Sequence, residues 1–99
     1  MLIQLFELYA KDGVSLSDQG INEAVLPINL TSKVLGLFKE NKILVLGGDL
    51  YKKKNDGIMQ YIEIDWFYSG NDYIESIENA KDFLAEYDNT DYFVSYILA

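Results

Sequence analysis

The 99-residue sequence predicts a single α+β domain, in which a small, largely antiparallel sheet of three strands is covered on one face by about three helices. Two observations lead to this prediction. Residues 43–68 have the pattern of one long β-hairpin, and residues 72–87 have the spacing of an amphipathic helix that leads into an apolar run at 92–98. A chain of this length can fill one hydrophobic core, so we expect one domain over residues 1–99.

The hairpin is the element around which the predicted fold is organised. Its first strand, residues 43–51, is apolar on both sides, which is typical of a strand inside a sheet. The sequence NDG at 55–57 favours a turn. Residues 58–68 then alternate strictly, which predicts a strand with one buried side that includes Trp66. A right-handed crossover through the last helix places the final strand beside the first, which gives the spatial order 2-1-3.

The remaining elements are predicted from shorter patterns. Residues 2–11 have helical spacing, although the run is short enough that a strand is an alternative. Residues 14–28 show no regular period, and we expect irregular structure there. A second helix is predicted from about residue 31 to residue 40. Asp72, with Glu75 three residues later, has the arrangement of a capping box and predicts the start of the last helix.

The composition excludes several classes of function. The chain contains no cysteine and no histidine, which rules out disulfides, thiol nucleophiles, Cys/His metal sites and serine–histidine triads. We therefore expect no cofactor and no bound metal. The first ten residues lack the basic region of a signal peptide, and no stretch has the roughly 20 apolar residues of a membrane span. A cytoplasmic protein that does not contact a membrane is the expectation.

The net charge of −8 is concentrated in the last third of the chain. Residues 1–62 contain seven acidic residues and seven lysines, whereas residues 63–99 contain nine acidic residues and Lys81 alone. Such a field repels nucleic acid and anionic membranes and attracts basic proteins. Solubility is the alternative explanation, because many small proteins achieve it through a similar excess of charge.

Four of these acidic residues recur at the spacing of one helix face, namely Glu75, Glu78, Asp82 and Glu86. Like charges three or four residues apart destabilise a helix by about 0.2–0.5 kcal/mol each, and only Lys81 offsets them. Stability alone favours interspersed lysines. The stripe therefore indicates a docking site for a basic partner.

Two glycines interrupt the first strand of the hairpin. Gly47 and Gly48 indicate a bulge or a close approach of two backbones, so both are predicted to be structural residues. Asp49 and Tyr51 follow on one side of the strand and are a second candidate for partner contact, with local hydrogen bonding by Asp49 as the alternative. Trp66, the only tryptophan, is also predicted to be structural and largely buried.

The side of the return strand that bears Tyr61 and Phe67 is a third candidate for partner contact. Glu63 and Asp65 lie on the same side. Paired carboxylates can serve acid/base catalysis or bind a hard cation, but they are also explained as the solvent side of an alternating strand. A chain without arginine, histidine or cysteine offers few other catalytic groups, so we expect no enzyme. A small carboxylate-dependent enzyme is the least favoured alternative.

The order of these motifs resembles the bacterial immunity protein 40 family, which consists of small cytoplasmic antidotes of polymorphic toxin systems. The resemblance rests on GGDLY at 47–51, the NDG turn, DWFY at 65–68, AKDFL at 80–84 and YFVSYIL at 92–98. It implies a stoichiometric inhibitor of a cognate toxin, and it identifies no toxin-binding residue. The acidic surface independently indicates that the toxin is basic. A general acidic interaction module without a toxin partner is the alternative, and the oligomeric state is left open.

Overall fold

The computed structural model describes residues 2–16, 24–87 and 91–99. In these ranges the helices are α1 (Leu2–Asp12), α2 (Thr31–Glu40) and α3 (Tyr73–Leu84), and the strands are β1 (Val14–Ser15), β2 (Ala24–Pro27), β3 (Val45–Lys53), β4 (Met59–Phe67) and β5 (Tyr92–Leu98). Short 3-10 helices precede α2 and follow α3, at Ile28–Leu30 and Ala85–Tyr87. None of the helices in the described ranges has the length and hydropathy needed to cross a membrane. The predicted helix end at residues 88–90 lies outside the described residues.

The five strands form one antiparallel sheet in the order β1-β2-β5-β3-β4. The α+β class is as predicted, but the prediction of a three-stranded sheet is wrong. β3 does lie between β4 and β5, and β1 and β2 extend the sheet beyond β5. Residues 14–28 were expected to be irregular because strands of two and four residues are too short to show the two-residue period of a strand.

One face of the sheet is covered by the helices. Leu26, Val94 and Leu50 form a row across β2, β5 and β3, and all three side chains are fully buried. Each of the three helices contributes buried side chains to the same core. α1 does so through Leu5 and Leu8, so the helical alternative for residues 2–11 is the one observed. Complete burial of each large aliphatic side chain contributes roughly 1.5–3 kcal/mol, which fixes the helix layer on this face.

The other face, called the open face below, is only partly covered. A second, smaller cluster of buried residues lies at one end of it and consists of Leu16, Val25, Tyr51 and Met59. Phe93 of β5 packs against this cluster. The opposite end of the open face, near the end of β4, carries side chains that remain exposed. The sheet therefore has one surface that carries the main core and one that is shared between a small core and solvent.

Asp72 is the N-cap of α3, as the capping motif predicts. The Asp72 carboxylate accepts hydrogen bonds from the backbone N–H groups of Ile74 and Glu75, at 3.0 and 3.3 Å. Glu75 is linked to the cap through Tyr68, whose hydroxyl donates to the Glu75 carboxylate at 2.8 Å and accepts from the N–H of Asp72 at 3.3 Å. α3 buries Ser76 together with Ile77, Ala80 and Leu84, whereas Ile74 is 45% exposed.

Ser76 connects α3 to the beginning of β3. Its hydroxyl accepts a hydrogen bond from the backbone N–H of Val45 at 3.0 Å and donates one to the carbonyl of Tyr73 at 2.8 Å. The pairing of β3 with β5 shifts in register between Val45 and Gly47. The serine hydroxyl therefore supplies a partner for a strand N–H at the point where the ladder is irregular.

Gly47 lies at this register shift. Its φ angle is 155°, and a Cβ atom added there would collide with the backbone of Trp66 and Phe67 on β4. Because the backbone of the paired strand β4 cannot move aside without breaking its pairing with β3, this position requires glycine.

Gly48 allows the indole of Trp66 to lie against β3. A Cβ atom added to Gly48 would meet the Trp66 ring and would lie 2.6 Å from the carbonyl oxygen of Ser95. Trp66 is 7% exposed, where the sequence predicts burial, and its ring centre lies 5.1 Å from that of Phe83 on α3. The glycine and the tryptophan together set the distance between α3 and the sheet.

Candidate protein-binding surface

An irregularity in β4 shapes the open face. Between the pairs Asp49–Asp65 and Tyr51–Tyr61, β3 advances by two residues while β4 advances by four. The additional residues include Glu63, whose φ angle is 61°. This left-handed conformation costs a non-glycine residue roughly 1–3 kcal/mol, so the surrounding pairing must hold it in place. The result is a bulge at the free edge of the sheet.

The bulge brings Tyr61 and Asp65 together. Four residues of a regular strand span about 13 Å, whereas these two pair with residues that are only two apart on β3, a span of about 7 Å. The Tyr61 hydroxyl donates a hydrogen bond to the Asp65 carboxylate at 3.3 Å. Partial desolvation, followed by the negative charges of Asp65, Asp49 and Glu63, raises the pKa of Tyr61 above its ordinary value of 10.0. The carboxylates of Asp49, Glu63 and Asp65 therefore all lie close enough to Tyr61 to act on its hydroxyl group.

An apolar row lies beside these carboxylates on the open face. Phe67, Gly47 and Ile97 are paired across β4, β3 and β5. Phe67 is 82% exposed and Ile97 is 43% exposed, and the glycine between them has no side chain. The next row along the face holds Asp65 and Asp49. We refer to Phe67, Ile97, Tyr61, Asp65 and Asp49 together as the open-face patch.

Two of the sequence-based candidates for partner contact coincide in this patch. The sequence predicts partner contact by Asp49 and Tyr51, which lie on β3, and by the side of β4 that bears Tyr61 and Phe67. Tyr51 is 6% exposed and belongs to the second, smaller cluster of buried residues. Its ring centre lies 5.7 Å from that of Tyr61, so Tyr51 packs against Tyr61 and has little surface of its own for a partner. Sequence reasoning missed Ile97, because the run at 92–98 is apolar on both sides and does not show which side is open.

The acidic stripe lies in the helix layer, away from the open face. Its residues are Glu75, Glu78 and Asp82 on α3 and Glu86 on the following 3-10 helix, and all four are exposed. Glu75 accepts the hydrogen bond from Tyr68. Glu78 lines a shallow groove between α2 and α3 together with Lys39 and Lys81. Glu78 is the only member of the stripe that lines this groove.

The pair Glu63 and Asp65 lies at the edge of the open face, and both residues are exposed. In the part of the chain that the structure describes, no group of three or more acidic residues could hold a metal ion. The observed partner of Asp65 is the hydroxyl of Tyr61. Asp65 therefore forms a hydrogen-bonded surface pair with Tyr61.

Comparisons with known proteins identify the family of the chain. The model of the Immunity protein 40 family matches residues 15–98. This range includes α2, α3 and the strands β2 to β5, and it contains every residue of the open-face patch. A search of curated proteins and a search of solved structures each found no match. The resemblance seen in the sequence is therefore confirmed, and the chain belongs to the Immunity protein 40 family, the immunity proteins of bacterial polymorphic toxin systems.

Proposed function

We propose that this immunity protein acts in the cytoplasm as a stoichiometric inhibitor that binds a basic cognate toxin. The observation that carries the proposal is the charge of residues 63–99, which contain nine acidic residues and one lysine. This segment includes most of β4 and the whole of α3 and β5. A basic partner is the kind of protein that such a surface attracts and retains.

A nuclease is the class of toxin that fits this surface best. Proteins that bind nucleic acids do so through basic grooves that neutralise the phosphate backbone. An acidic protein that occupies such a groove excludes the substrate by charge as well as by volume. One bound inhibitor then inactivates one toxin molecule, without any catalytic step by the inhibitor.

The stripe of Glu75, Glu78, Asp82 and Glu86 supports the approach of the toxin. Charges outside the contact area act mainly on the association rate, and salt weakens this effect, with a screening length of about 8 Å at physiological salt. Asp82 and Glu86 are best placed for this role, since Glu75 is held by Tyr68 and Glu78 shares a groove with lysines. We expect these charges to speed capture more than they slow release.

The test is co-expression with the product of the gene immediately upstream, which we expect to encode the cognate toxin. We expect rescue of growth and a purified complex with one copy of each protein. The association rate is expected to fall as salt rises from about 0.05 to about 0.5 M, because screening shortens the reach of the charges. No rescue and no complex would reject inhibition by binding, and an association rate that is independent of salt would reject a basic partner.

A pair of charge-reversal variants separates the stripe from net charge. Asp82→Lys with Glu86→Lys changes the stripe, and Glu7→Lys with Glu40→Lys makes the same change at exposed positions of α1 and α2. Both variants have the same net charge. We expect slower association for the first variant than for the second. Equal rates would show that the stripe contributes only through the total charge of the protein.

A further inference from the structure

Phe67 is the most exposed of the large hydrophobic side chains that the structure describes. It is 82% exposed, although its neighbour Trp66 is almost completely buried. Ile97 lies across Gly47 from it and is 43% exposed. Exposed aromatic residues next to other apolar side chains are the usual anchors of protein interfaces. The end of β4 therefore has the composition of a binding surface.

The charges beside Phe67 define the chemistry of a partner. Asp65 and Asp49 lie in the adjacent row of the open face, and the Tyr61 hydroxyl donates a hydrogen bond to the Asp65 carboxylate. An arginine can stack its guanidinium on an aromatic ring and also reach a neighbouring carboxylate. A lysine can lay its alkyl stem along Phe67 and Ile97 with its ammonium group near the carboxylates. Both arrangements need a basic side chain next to an apolar contact.

We propose that the open-face patch is the docking surface for the toxin, with Phe67 as its anchor and a basic segment of the toxin as its occupant. This assignment rests on the proposed function and adds the location of the interface. It gives the two acidic surfaces different roles. The stripe in the helix layer accelerates encounter, and the open-face patch holds the complex together.

α1 carries the other pair of strongly exposed hydrophobic side chains. Ile3 is 55% exposed and Phe6 is 66% exposed, and they lie one helical turn apart. This pair belongs to the part of the chain in which acidic residues and lysines balance, and it lies outside the range matched by the family. Phe6 is therefore a matched control for Phe67, because both are exposed phenylalanines of the same protein.

The experiment measures association and dissociation of the toxin with wild type, Phe67→Ala and Phe6→Ala. We expect Phe67→Ala to dissociate at least about 30-fold faster, the change that corresponds to an interface hot spot, with little change in association. Phe6→Ala is expected to match the wild type. Thermal unfolding checks that both variants are folded. We expect both to fold, because the phenylalanine side chains that they lose are exposed.

Several results would overturn the assignment. A wild type that binds the toxin, together with a Phe67→Ala variant that dissociates at the same rate, would place the interface elsewhere and leave the proposed function intact. A larger effect of Phe6→Ala would assign the interface to α1. A wild type that forms no complex would reject the proposed function and this assignment with it. A dimeric free protein that Phe67→Ala converts to monomers would show that a second copy occupies the patch.

The basic character of the occupant has its own test. Asp65→Asn keeps an oxygen that can accept the hydrogen bond of Tyr61 but removes the negative charge. We expect slower association than wild type at low salt and a smaller difference at high salt. Unchanged rates at both salt concentrations would reject a basic segment as the occupant.

Discussion

Replacement of Ser76 by alanine tests whether one buried hydroxyl holds α3 against the sheet. The hydroxyl accepts the N–H of Val45 at 3.0 Å and donates to the carbonyl of Tyr73 at 2.8 Å. Ser76 and Val45 are both completely buried, so water cannot easily take the place of the hydroxyl. Alanine therefore leaves the N–H of Val45 without this partner, beside the register shift of β3.

The expected loss is about 1–2 kcal/mol in the free energy of unfolding. A buried N–H group without a partner costs about 1–3 kcal/mol. Alanine offsets part of this cost, because it is a better helix former than serine by up to about 0.7 kcal/mol. For a domain of this size each kcal/mol lowers Tm by about 4–8 °C. The effect is well within the range of a thermal or urea unfolding experiment.

Urea unfolding followed by the fluorescence of Trp66 provides the measurement. Asn79→Ala, at an exposed position of α3, is the matched control and is expected to be equally or more stable than wild type. The reasoning is refuted if Ser76→Ala is as stable as Asn79→Ala. Such a result would mean that the N–H of Val45 gains another partner, and that α3 is held by its apolar contacts alone.

Three further predictions concern the core. Trp66→Ala is expected to lower the free energy of unfolding by about 3–5 kcal/mol and to abolish the cooperative unfolding transition, because the ring is buried between β3 and α3. A variant that unfolds like wild type would contradict this prediction. Gly48→Ala is expected to lower Tm because the added methyl group meets the Trp66 ring and the Ser95 carbonyl. Gly36→Ala on α2, where an added methyl group meets nothing, is expected to raise the free energy of unfolding by up to about 1 kcal/mol. Equal Tm values for the two variants would show that this prediction is wrong. Tyr96→Phe is expected to change stability little below pH 10, since in the described part of the chain the buried hydroxyl has only a weak interaction, with Thr31. Burial raises the pKa of Tyr96 above the ordinary 10.0, so the stability that depends on its neutral form is present below pH 10 and is lost as pH rises further. Above pH 10, Tyr96→Phe is therefore expected to lose less stability than wild type. An equal loss for both proteins in a pH series of unfolding experiments would count against this prediction.

The hairpin shows how far alternation alone can predict a strand. Alternation predicts β4, while the run that is apolar on both sides predicts that β3 lies inside the sheet, between two other strands, as it does. Alternation does not show the bulge at Glu63. The bulge adds two residues to β4, and an even insertion leaves the alternation of Tyr61 and Asp65 unchanged. Only the pairing with β3 distinguishes the bulged strand from a regular one.

The first two strands and Ser76 were missed for a related reason. β1 and β2 have two and four residues, so their structure depends on partners that are distant in the sequence, such as Val94 opposite Leu26. Ser76 is polar and lies beside Ile77 on the buried side of α3, where a hydrophobic pattern assigns no role to a serine. Its role becomes visible only when the N–H of Val45 is seen to need a partner.

The candidate site was only partly predictable. The acidic residues, the glycine pair and the individual members of the open-face patch on β3 and β4 follow from composition and spacing. Their convergence does not, because it depends on the antiparallel pairing of β3 with two other strands. The position of Ile97 illustrates this, since it joins Phe67 through Gly47, a residue that is 50 positions earlier in the sequence.

Trp66 and Phe67 explain why we expect the patch to control dissociation. The two aromatic residues are adjacent on β4, yet one is 7% and the other 82% exposed. Packing of Trp66 against Gly48 and Phe83 fixes the backbone from which Phe67 projects. Gly47 of β3 pairs directly with Phe67 and lets the backbones of β3 and β4 approach closely. A surface fixed in this way loses little conformational freedom when a partner binds, so most of the contact energy of Phe67 remains available to slow release of the toxin.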